Sequence, residues 1–101
     1  MNKAFSTKVY EVVRQIPKGK VATYQDVAIL AGSPRASRAV GIAMKNNPDL
    51  KTIPCHRVVG SDGAMHGYSA ANGIVSKIQL LKRERVGFVG NKVDLTSYRW
   101  T

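Results

Sequence analysis

The segment TYQDVAILAGSP, residues 23–34, holds the start and stop signals of a short helix and a restart of the chain. Thr23 followed three residues later by Asp26 is typical of a capping box, in which each side chain bonds the backbone amide of the other residue. The apolar spacing predicts a helix over residues 24–30. Gly32 stands where glycine is favoured after a helix, so the helix is expected to stop there.

A second helix is predicted immediately afterwards, with Ser33 as its N-cap and Pro34 as its first residue. It is expected to end near Asn46-Asn47-Pro48. The apolar side of this helix is formed by Ala36, Val40, Ala43 and Met44. Two short helices joined through Gly-Ser-Pro match the plan of a helix-turn-helix, whose second helix commonly contacts a groove of DNA.

The polar side of the second helix is basic and slim. Its positive charge comes from Arg35, Arg38 and Lys45. Ser37 and Gly41 keep part of the surface small. Any helical hairpin would carry a solvated polar face, but the net charge favours DNA binding: 16 Lys and Arg against 6 Asp and Glu give +10 over 101 residues. Folded basic domains of this kind most often bind a polyanion.

Composition also restricts the class of protein. No stretch approaches the ~18 apolar residues of a membrane span, and the N-terminus lacks the apolar core of a secretory signal. A single cysteine without such a signal predicts an intracellular, cytoplasmic protein. One cysteine and two separated histidines do not supply a structural zinc site. We expect one domain over residues 1–101, with neither a metal nor a membrane segment.

Helices and short strands are predicted on both sides of the helix-turn-helix. The fold class is therefore α+β, with a helix-turn-helix packed against a short strand and loop region. The predicted elements are a helix over about 4–16, a strand-like segment over 52–59, a turn over 60–63, a short return strand over 64–66, a loop over 67–73, a helix from Ile74 to about Arg85 and a hairpin over 88–93.

The pentapeptide Pro54-Cys55-His56-Arg57-Val58 is the candidate for chemistry. Cys55 has no disulfide partner within the chain because it is the only cysteine. A thiol becomes a nucleophile when a base or a positive charge raises its thiolate fraction. A lone cysteine is also often a buried structural residue, and neighbours on an extended strand point to opposite faces, so adjacency to His56 decides nothing by itself.

With these elements in order, the chain resembles the C-terminal domain of the O6-alkylguanine-DNA alkyltransferases over about residues 7–87. The segment 24–28 is similar to the first helix of that family's helix-turn-helix, and the segment 37–48 to its recognition helix and the hinge that follows. The active-site motif is matched by Ile53-Pro54-Cys55-His56-Arg57-Val58-Val59. The set is completed by Gly67-Tyr68-Ser69 and by Leu80-Leu81 followed by Glu84. The ordered combination of these motifs is specific.

The resemblance implies repair by direct reversal. The family rotates an alkylated guanine out of the duplex and transfers its O6-alkyl group, most plausibly methyl, irreversibly to a cysteine, because a thiolate cannot reach the O6 carbon inside the stack. Cys55 is then the acceptor, and His56 takes the thiol proton through a water. Glu84 orients the imidazole, and Asn47 holds the hinge between the recognition helix and the active-site segment. No cofactor is implied, because the protein itself is the single-turnover methyltransferase and acceptor.

The same resemblance assigns the DNA contacts. Tyr24 crowds the phosphate and drives rotation of the nucleotide, while Arg38 fills the gap that the base leaves in the stack. Further contacts on or beside the recognition helix are expected from Arg35, Ser37 and Lys45. The expected partner is double-stranded DNA containing O6-alkylguanine, bound by a monomer.

The lesion pocket is assigned to Tyr68, Ser69, Val58 and Ala70. The Tyr68 hydroxyl hydrogen-bonds the departing guanine, and backbone groups of Val58 and of the Ser69 loop hold its edges. Ala70-Ala71 stand where the family usually carries two glycines. Their methyl groups are expected to narrow the pocket against bulky adducts.

Two other functions stay open. The compact chain and its Tyr98-Arg99-Trp100 ending also resemble the alkyltransferase-like proteins, which bind alkylated guanine without repairing it and recruit excision-repair proteins. Those proteins typically replace the acceptor cysteine, which this chain keeps. A transcriptional regulator would use the same helix-turn-helix, but a slim helix rich in Ala and Gly offers few long side chains for reading base edges.

Overall fold

The computed structural model describes residues 3–65 and 73–101, and within them it confirms the predicted α+β class. None of the described helices is long and apolar enough to cross a membrane. The helices are α1 (Lys3–Arg14), α2 (Tyr24–Leu30), α3 (Ser37–Lys45), α4 (Gly73–Arg83) and α5 (Leu95–Tyr98). The strands are β1 (Ala22–Thr23), β2 (Val58–Val59), β3 (Phe88–Val89) and β4 (Lys92–Val93), and Cys55–Arg57 form a 3-10 turn.

The first helix of the helix-turn-helix begins and ends as predicted. The Thr23 hydroxyl accepts from the Asp26 amide, and the Asp26 carboxylate accepts from the Thr23 amide, both at 3.0 Å, which forms the capping box. At the other end, the amides of Gly32 and Ser33 donate back to carbonyls of the last helical turn. Gly32 has a φ of +88°, the left-handed conformation in which this end motif places glycine.

The predicted start of the second helix is wrong. Ser33 is not its N-cap, because the Ser33 amide closes the end of α2 and the next turn follows, with the Ala36 amide donating to the Ser33 carbonyl at 2.9 Å. α3 begins at Ser37, and its N-cap Ala36 makes no side-chain bond. Arg35 therefore lies in the turn and not on the helix. The predicted end near Asn46 is confirmed.

The main hydrophobic core lies between α1, α2 and α3. Val9 and Val13 of α1 are fully buried there beside Val27 of α2 and Val40 of α3. Cys55 belongs to the same core, so the helices of the helix-turn-helix hold the segment that carries the thiol. A second, smaller core is formed by Val21, Val59, Leu81, Val86 and Val93.

Two-residue strands join the helix-turn-helix to the cysteine segment. β1 pairs in parallel with β2, with Ala22 opposite Val58 and Thr23 opposite Val59. Thr23 also caps α2, and Val58 directly follows the 3-10 turn. The pairing therefore fixes where the thiol lies relative to α2, a role for residues 22–23 that the sequence analysis did not predict.

The end of the chain packs beside β1. The Val21 amide donates to the Tyr98 carbonyl at 2.9 Å, and the Trp100 amide donates to the Val21 carbonyl at 2.7 Å. Between them, Arg99 Nε donates to Asp26 Oδ2 at 2.9 Å. Helix α5, which precedes this segment, was not predicted.

The strand predicted over residues 52–59 is largely wrong. Cys55–Arg57 form a 3-10 turn, which the Arg57 amide closes by donating to the Pro54 carbonyl at 2.9 Å. Pro54 lacks an amide and restricts φ, so it favours a turn over continued strand pairing. Only the pair Val58–Val59 is extended and bonded to a neighbouring strand.

The turn over 60–63 is confirmed by a hydrogen bond between its first and last residues. The return strand over 64–66 is not formed by the described residues: Ala64 makes an isolated bridge to Lys92, and His66 lies outside them.

The hairpin over 88–93 is confirmed as β3 and β4. α4 ends at Arg83, slightly before the predicted Arg85, which instead adopts a left-handed φ of +66°. The loop predicted over 67–73 lies outside the described residues, except for Gly73 at the start of α4.

Candidate active site and DNA-binding helix

Cys55 opens the 3-10 turn as a free thiol and is 4% exposed. Burial raises the pKa of this thiol above its ordinary value, while a hydrogen bond from Asn47 and the positive charge of Lys77 act in the opposite direction. At neutral pH the resting thiol is protonated. A base must therefore remove its proton before the sulfur can attack an electrophile.

Asn47 joins the end of α3 to the segment before Cys55. Its Nδ2 donates to the Ile53 carbonyl at 2.8 Å, and its Oδ1 accepts from the Asp49 amide at 2.8 Å. The same side chain hydrogen-bonds the thiol. Asn47 thus lies just beyond the end of α3, and its side chain bonds the segment that leads to Cys55; its role as a hinge stays a prediction.

His56 and Arg57 are joined through the carboxylate of Glu84. His56 Nε2 lies 3.0 Å from Glu84 Oε2. Arg57 grips the same carboxylate with two bonds, Nε to Oε1 at 2.9 Å and Nη2 to Oε2 at 2.7 Å. Arg57 Nη1 also donates to the Ile16 carbonyl at 2.8 Å, which anchors the group beyond the end of α1.

The charges of this group define the tautomer of His56. Burial alone would raise the pKa of Glu84, but hydrogen bonds from Arg57 and His56 outweigh it and lower the pKa, so the carboxylate is ionised. Burial lowers the pKa of His56, although Glu84 opposes this. A neutral imidazole must donate its Nε2 proton to the carboxylate, which leaves Nδ1 as a proton acceptor.

Lys77 is the site residue that the sequence analysis missed. It lies on α4 and is only 1% exposed, whereas Ile74, predicted on the apolar face, is 44% exposed. Burial lowers the pKa of the Lys77 ammonium to about 8, and the charge of a Cys55 thiolate acts on it in the opposite direction. The available signal was its spacing four residues before Leu81, which is fully buried, so the two residues share one side of α4.

Tyr24 lies close to the same charges. The Lys77 ammonium is 5.8 Å from the centre of the Tyr24 ring, within the range of a cation–π contact. Burial and the charge of Cys55 raise the pKa of the Tyr24 hydroxyl to about 12. The first residue of α2 is therefore part of the surroundings of the thiol as well as a predicted DNA contact.

The exposed face of α3 is a single narrow line. Arg38, Ile42 and Lys45 are its exposed residues, and their spacing of four and three places them on one side of the helix. The opposite side is buried by Val40, Ala43 and Met44. Beside the line, a β-carbon at Gly41 would find no atom of the described residues within 4 Å.

The other predicted DNA contacts lie near this line. Arg35 is exposed in the turn before α3, and Ser37 is the half-buried first residue of the helix. The structure thus brings Arg38 and Lys45 together on one face, with Arg35 preceding them in the chain.

Three of the four residues predicted to form the lesion pocket lie outside the described residues: Tyr68, Ser69 and Ala70. Val58 is fully buried, and its amide already donates to the Cys55 carbonyl. Of its backbone polar groups, only the carbonyl is left to contact a flipped guanine. Within residues 3–65 and 73–101 there is no cluster of three His, Cys, Asp or Glu side chains that could hold a metal ion.

The sequence and the fold of this chain are similar to those of known proteins. Residues 4–86 match the family model described as 6-O-methylguanine DNA methyltransferase, DNA binding domain. The chain belongs to this family. It is 48% identical over 80 residues to the methylated-DNA–protein-cysteine methyltransferase of Methanosarcina barkeri, covering 79% of this chain and 49% of that protein. The chain therefore spans about half the length of that methyltransferase relative.

Two further similar proteins are matched over a larger share of their own length. The chain is 43% identical over 100 residues to the DNA base-flipping protein of Escherichia coli, covering 96% of this chain and 74% of that one. Its fold matches S. pombe Atl1, solved with damaged DNA containing O6-carboxymethylguanine, with a TM-score of 0.85 and 33% identity. That match covers 100% of this chain and 98% of Atl1.

Proposed function

We propose that this chain repairs duplex DNA by transferring the alkyl group of an O6-alkylguanine to Cys55 in a single irreversible step. The observation that carries the proposal is the surroundings of the thiol. Cys55 is hydrogen-bonded by Asn47, lies in the field of Lys77 and is followed by the bonded group of His56, Glu84 and Arg57.

The first step is docking of DNA on the exposed line of α3. The positive charge of the whole chain, +10, attracts the phosphates, and Arg38 and Lys45 supply cations on this line. Gly41 supports a close approach, because the protein itself leaves the space beside it open and mid-helix glycine costs stability relative to alanine. We attribute the glycine at position 41 to close approach of the DNA backbone at this side of α3.

The second step is rotation of the damaged nucleotide. A base must leave the stack before a buried thiol can reach its O6-alkyl carbon. Arg38 is exposed and long enough to occupy the gap, and Tyr24 begins α2 near enough to Cys55 for the charge of the sulfur to raise the pKa of its hydroxyl. The flipped guanine then moves past these residues toward Cys55.

The third step is the transfer. His56 takes the Cys55 proton on Nδ1, through a water, and Glu84 stabilises the imidazolium that forms. The thiolate attacks the alkyl carbon: a C–S bond forms, the bond from that carbon to O6 breaks, and the electron pair leaves with the guanine oxygen. The guanine regains a proton at the ring, and the thioether remains on the protein.

Lys77 assists the thiolate. Its pKa of about 8 means that the ammonium is mostly charged at neutral pH, so it stabilises the negative sulfur inside a region from which water is largely excluded. The same cation lies over the Tyr24 ring, which holds the phenol beside the thiol. We include Lys77 in the proposed catalytic set with Cys55, His56, Glu84 and Asn47.

A second function is binding of O6-alkylguanine without transfer. It is favoured by the match to Atl1 over the whole of this chain and by the burial that raises the pKa of the Cys55 thiol. In this alternative the thiol stays unmodified and the bound lesion recruits excision-repair proteins. Under both functions, we propose that the protein acts inside the cell as a monomer with a single domain.

Intact mass spectrometry after incubation with a duplex containing one O6-methylguanine separates the two functions. Transfer predicts one added methyl group on the peptide containing Cys55 and a plateau at one equivalent. The Cys55→Ser variant should keep lesion binding and lose the mass change. An unmodified wild-type mass together with tight lesion binding would establish the binding function instead.

A further inference from the structure

An isoleucine lies in the middle of the charged line of α3. Ile42 is 50% exposed, one helical turn after Arg38 and three residues before Lys45. Scattered exposed aliphatic residues are ordinary on protein surfaces. What distinguishes Ile42 is its place between two cations on the face that carries the proposed DNA contact.

The fold gives no reason for an isoleucine at this position. Its side chain lies opposite the buried residues of α3, so it adds little to the core. A β-branched residue also favours a helix less than alanine or lysine does. The neighbouring Gly41 leaves open space on the same side. Both residues are accounted for by a partner that presses against this face.

We propose that Ile42 is an apolar DNA contact, packing against sugar and base edges beside the gap that Arg38 fills; this inference rests on the proposed function. Proteins that open or kink a duplex commonly insert an aliphatic side chain at the step they unstack. The removal of one guanine exposes the apolar faces of its neighbours. Arg38 then occupies the gap in the base stack and Lys45 contacts a phosphate. Ile42 provides the apolar surface between them.

The test compares Ile42→Ala with Ile29→Ala in the otherwise intact chain. Ile29 is also 50% exposed but lies on α2, away from the line, so the two variants lose the same atoms from equally exposed sites. Alanine favours the helix at both positions, so both variants are expected to fold. Affinity is measured on a duplex containing O6-methylguanine over a series of salt concentrations, together with Lys45→Ala.

Ile42→Ala should weaken binding about tenfold at every salt concentration, while Ile29→Ala stays within about twofold of the wild type. The slope of log affinity against log salt should be unchanged in Ile42→Ala, because no phosphate contact is lost. In Lys45→Ala the slope should fall by about one. This difference separates an apolar contact from an electrostatic one.

Equal affinities for Ile42→Ala and Ile29→Ala would overturn the inference, and so would a change in salt slope in Ile42→Ala. Failure of transfer alone leaves the mass of the protein unchanged and does not affect this inference. Failure of the proposed DNA docking has a different signature, a wild-type affinity that is independent of salt and of Arg38. In that case the assignment of Ile42 falls with it.

Discussion

Arg99 grips Asp26 with two hydrogen bonds, Nε to Oδ2 at 2.9 Å and Nη2 to Oδ1 at 2.5 Å, across 73 positions of sequence. Asp26 is also the capping residue of α2, where its carboxylate accepts from the Thr23 amide. One carboxylate therefore joins the end of the chain to the first helix of the helix-turn-helix.

Replacement of Arg99 by alanine should lower the free energy of unfolding by about 1–3 kcal/mol, because it leaves a buried carboxylate with its capping bonds alone. Burial alone would raise the pKa of Asp26, but hydrogen bonds from Arg99 and Thr23 outweigh it and lower the pKa below 3.8. The stabilisation is therefore present above that value and is lost as the pH falls through the folded-state pKa. Urea unfolding at pH 7 and at pH 3 measures both effects, with Lys18→Ala, a change at an exposed position, as the control. Equal differences at the two pH values would contradict the assignment.

Replacement of Lys77 by methionine should stabilise the protein at pH 7 while slowing transfer at least tenfold. The folded-state pKa of Lys77 is about 8, below the ordinary 10.5, so burial of the charged ammonium destabilises the folded protein by about 3 kcal/mol. This destabilisation is fully present below pH 8. Wild-type stability should rise between pH 8 and 10.5, and the rise should disappear in Lys77→Met. Lys8→Met, a change at an exposed position of α1, is the control. A variant that is less stable at pH 7 would show that the buried ammonium holds the fold together.

His56 and Glu84 should shape the pH profile of transfer. The proton acceptor must be neutral, and burial lowers the pKa of His56 below 6.5, so single-turnover rates should decline only on the acid side of that value. His56→Ala should lose about 10²–10⁴-fold in rate. In Glu84→Gln the acid decline should move to still lower pH, because the carboxylate raises the pKa of His56. If the pH profile of the transfer rate is the same in Glu84→Gln as in the wild type, the carboxylate interacts functionally with Arg57 alone and does not set the pKa of His56.

Two glycines should respond oppositely to alanine. Gly41→Ala meets no protein atom and should raise the free energy of unfolding by about 0.5–1 kcal/mol, yet weaken DNA binding several-fold. Gly32→Ala should destabilise by about 1 kcal/mol, because its φ of +88° suits glycine. Thermal unfolding and DNA titration of both variants check this pair; undiminished DNA binding by Gly41→Ala would remove the argument for close approach.

Arg38→Ala should weaken binding to lesion-containing duplex and slow transfer from it, while reaction with the free alkylguanine base changes much less. The reason is that Arg38 is proposed to replace a base in the stack, a step that the free base does not need. Rates on the two substrates are compared in parallel. Equal losses on both would mean that Arg38 supports the fold.

The parts of the fold that the sequence predicts are those decided by neighbouring residues. The capping box of Thr23 and Asp26 and the left-handed Gly32 each depend on a few adjacent groups, and both are confirmed. The start of α3 was misplaced because the Ser33 amide is already used at the end of α2. A serine before a proline cannot reveal which of two helices its amide serves.

The candidate site divides in the same way. The motif around Cys55 indicates the chemistry, but a strand was predicted where a 3-10 turn stands, because Pro54 ends the extended chain. The grip of Arg57 on Glu84 and the burial of Lys77 depend on how α4 packs against the 3-10 turn. Contacts between segments so far apart in sequence leave little trace in local pattern.

The bonds from Val21 to Tyr98 and Trp100 also bear on the order of events during synthesis. On the ribosome, the helix-turn-helix and the cysteine segment emerge before the residues that bond to Val21. Contacts over such long separations form late and slow the folding of small domains. A nascent chain can therefore assemble the three-helix core early, while the bonds of both backbone groups of Val21 and the second set of bonds to Asp26 form only after residues 98–100 have emerged.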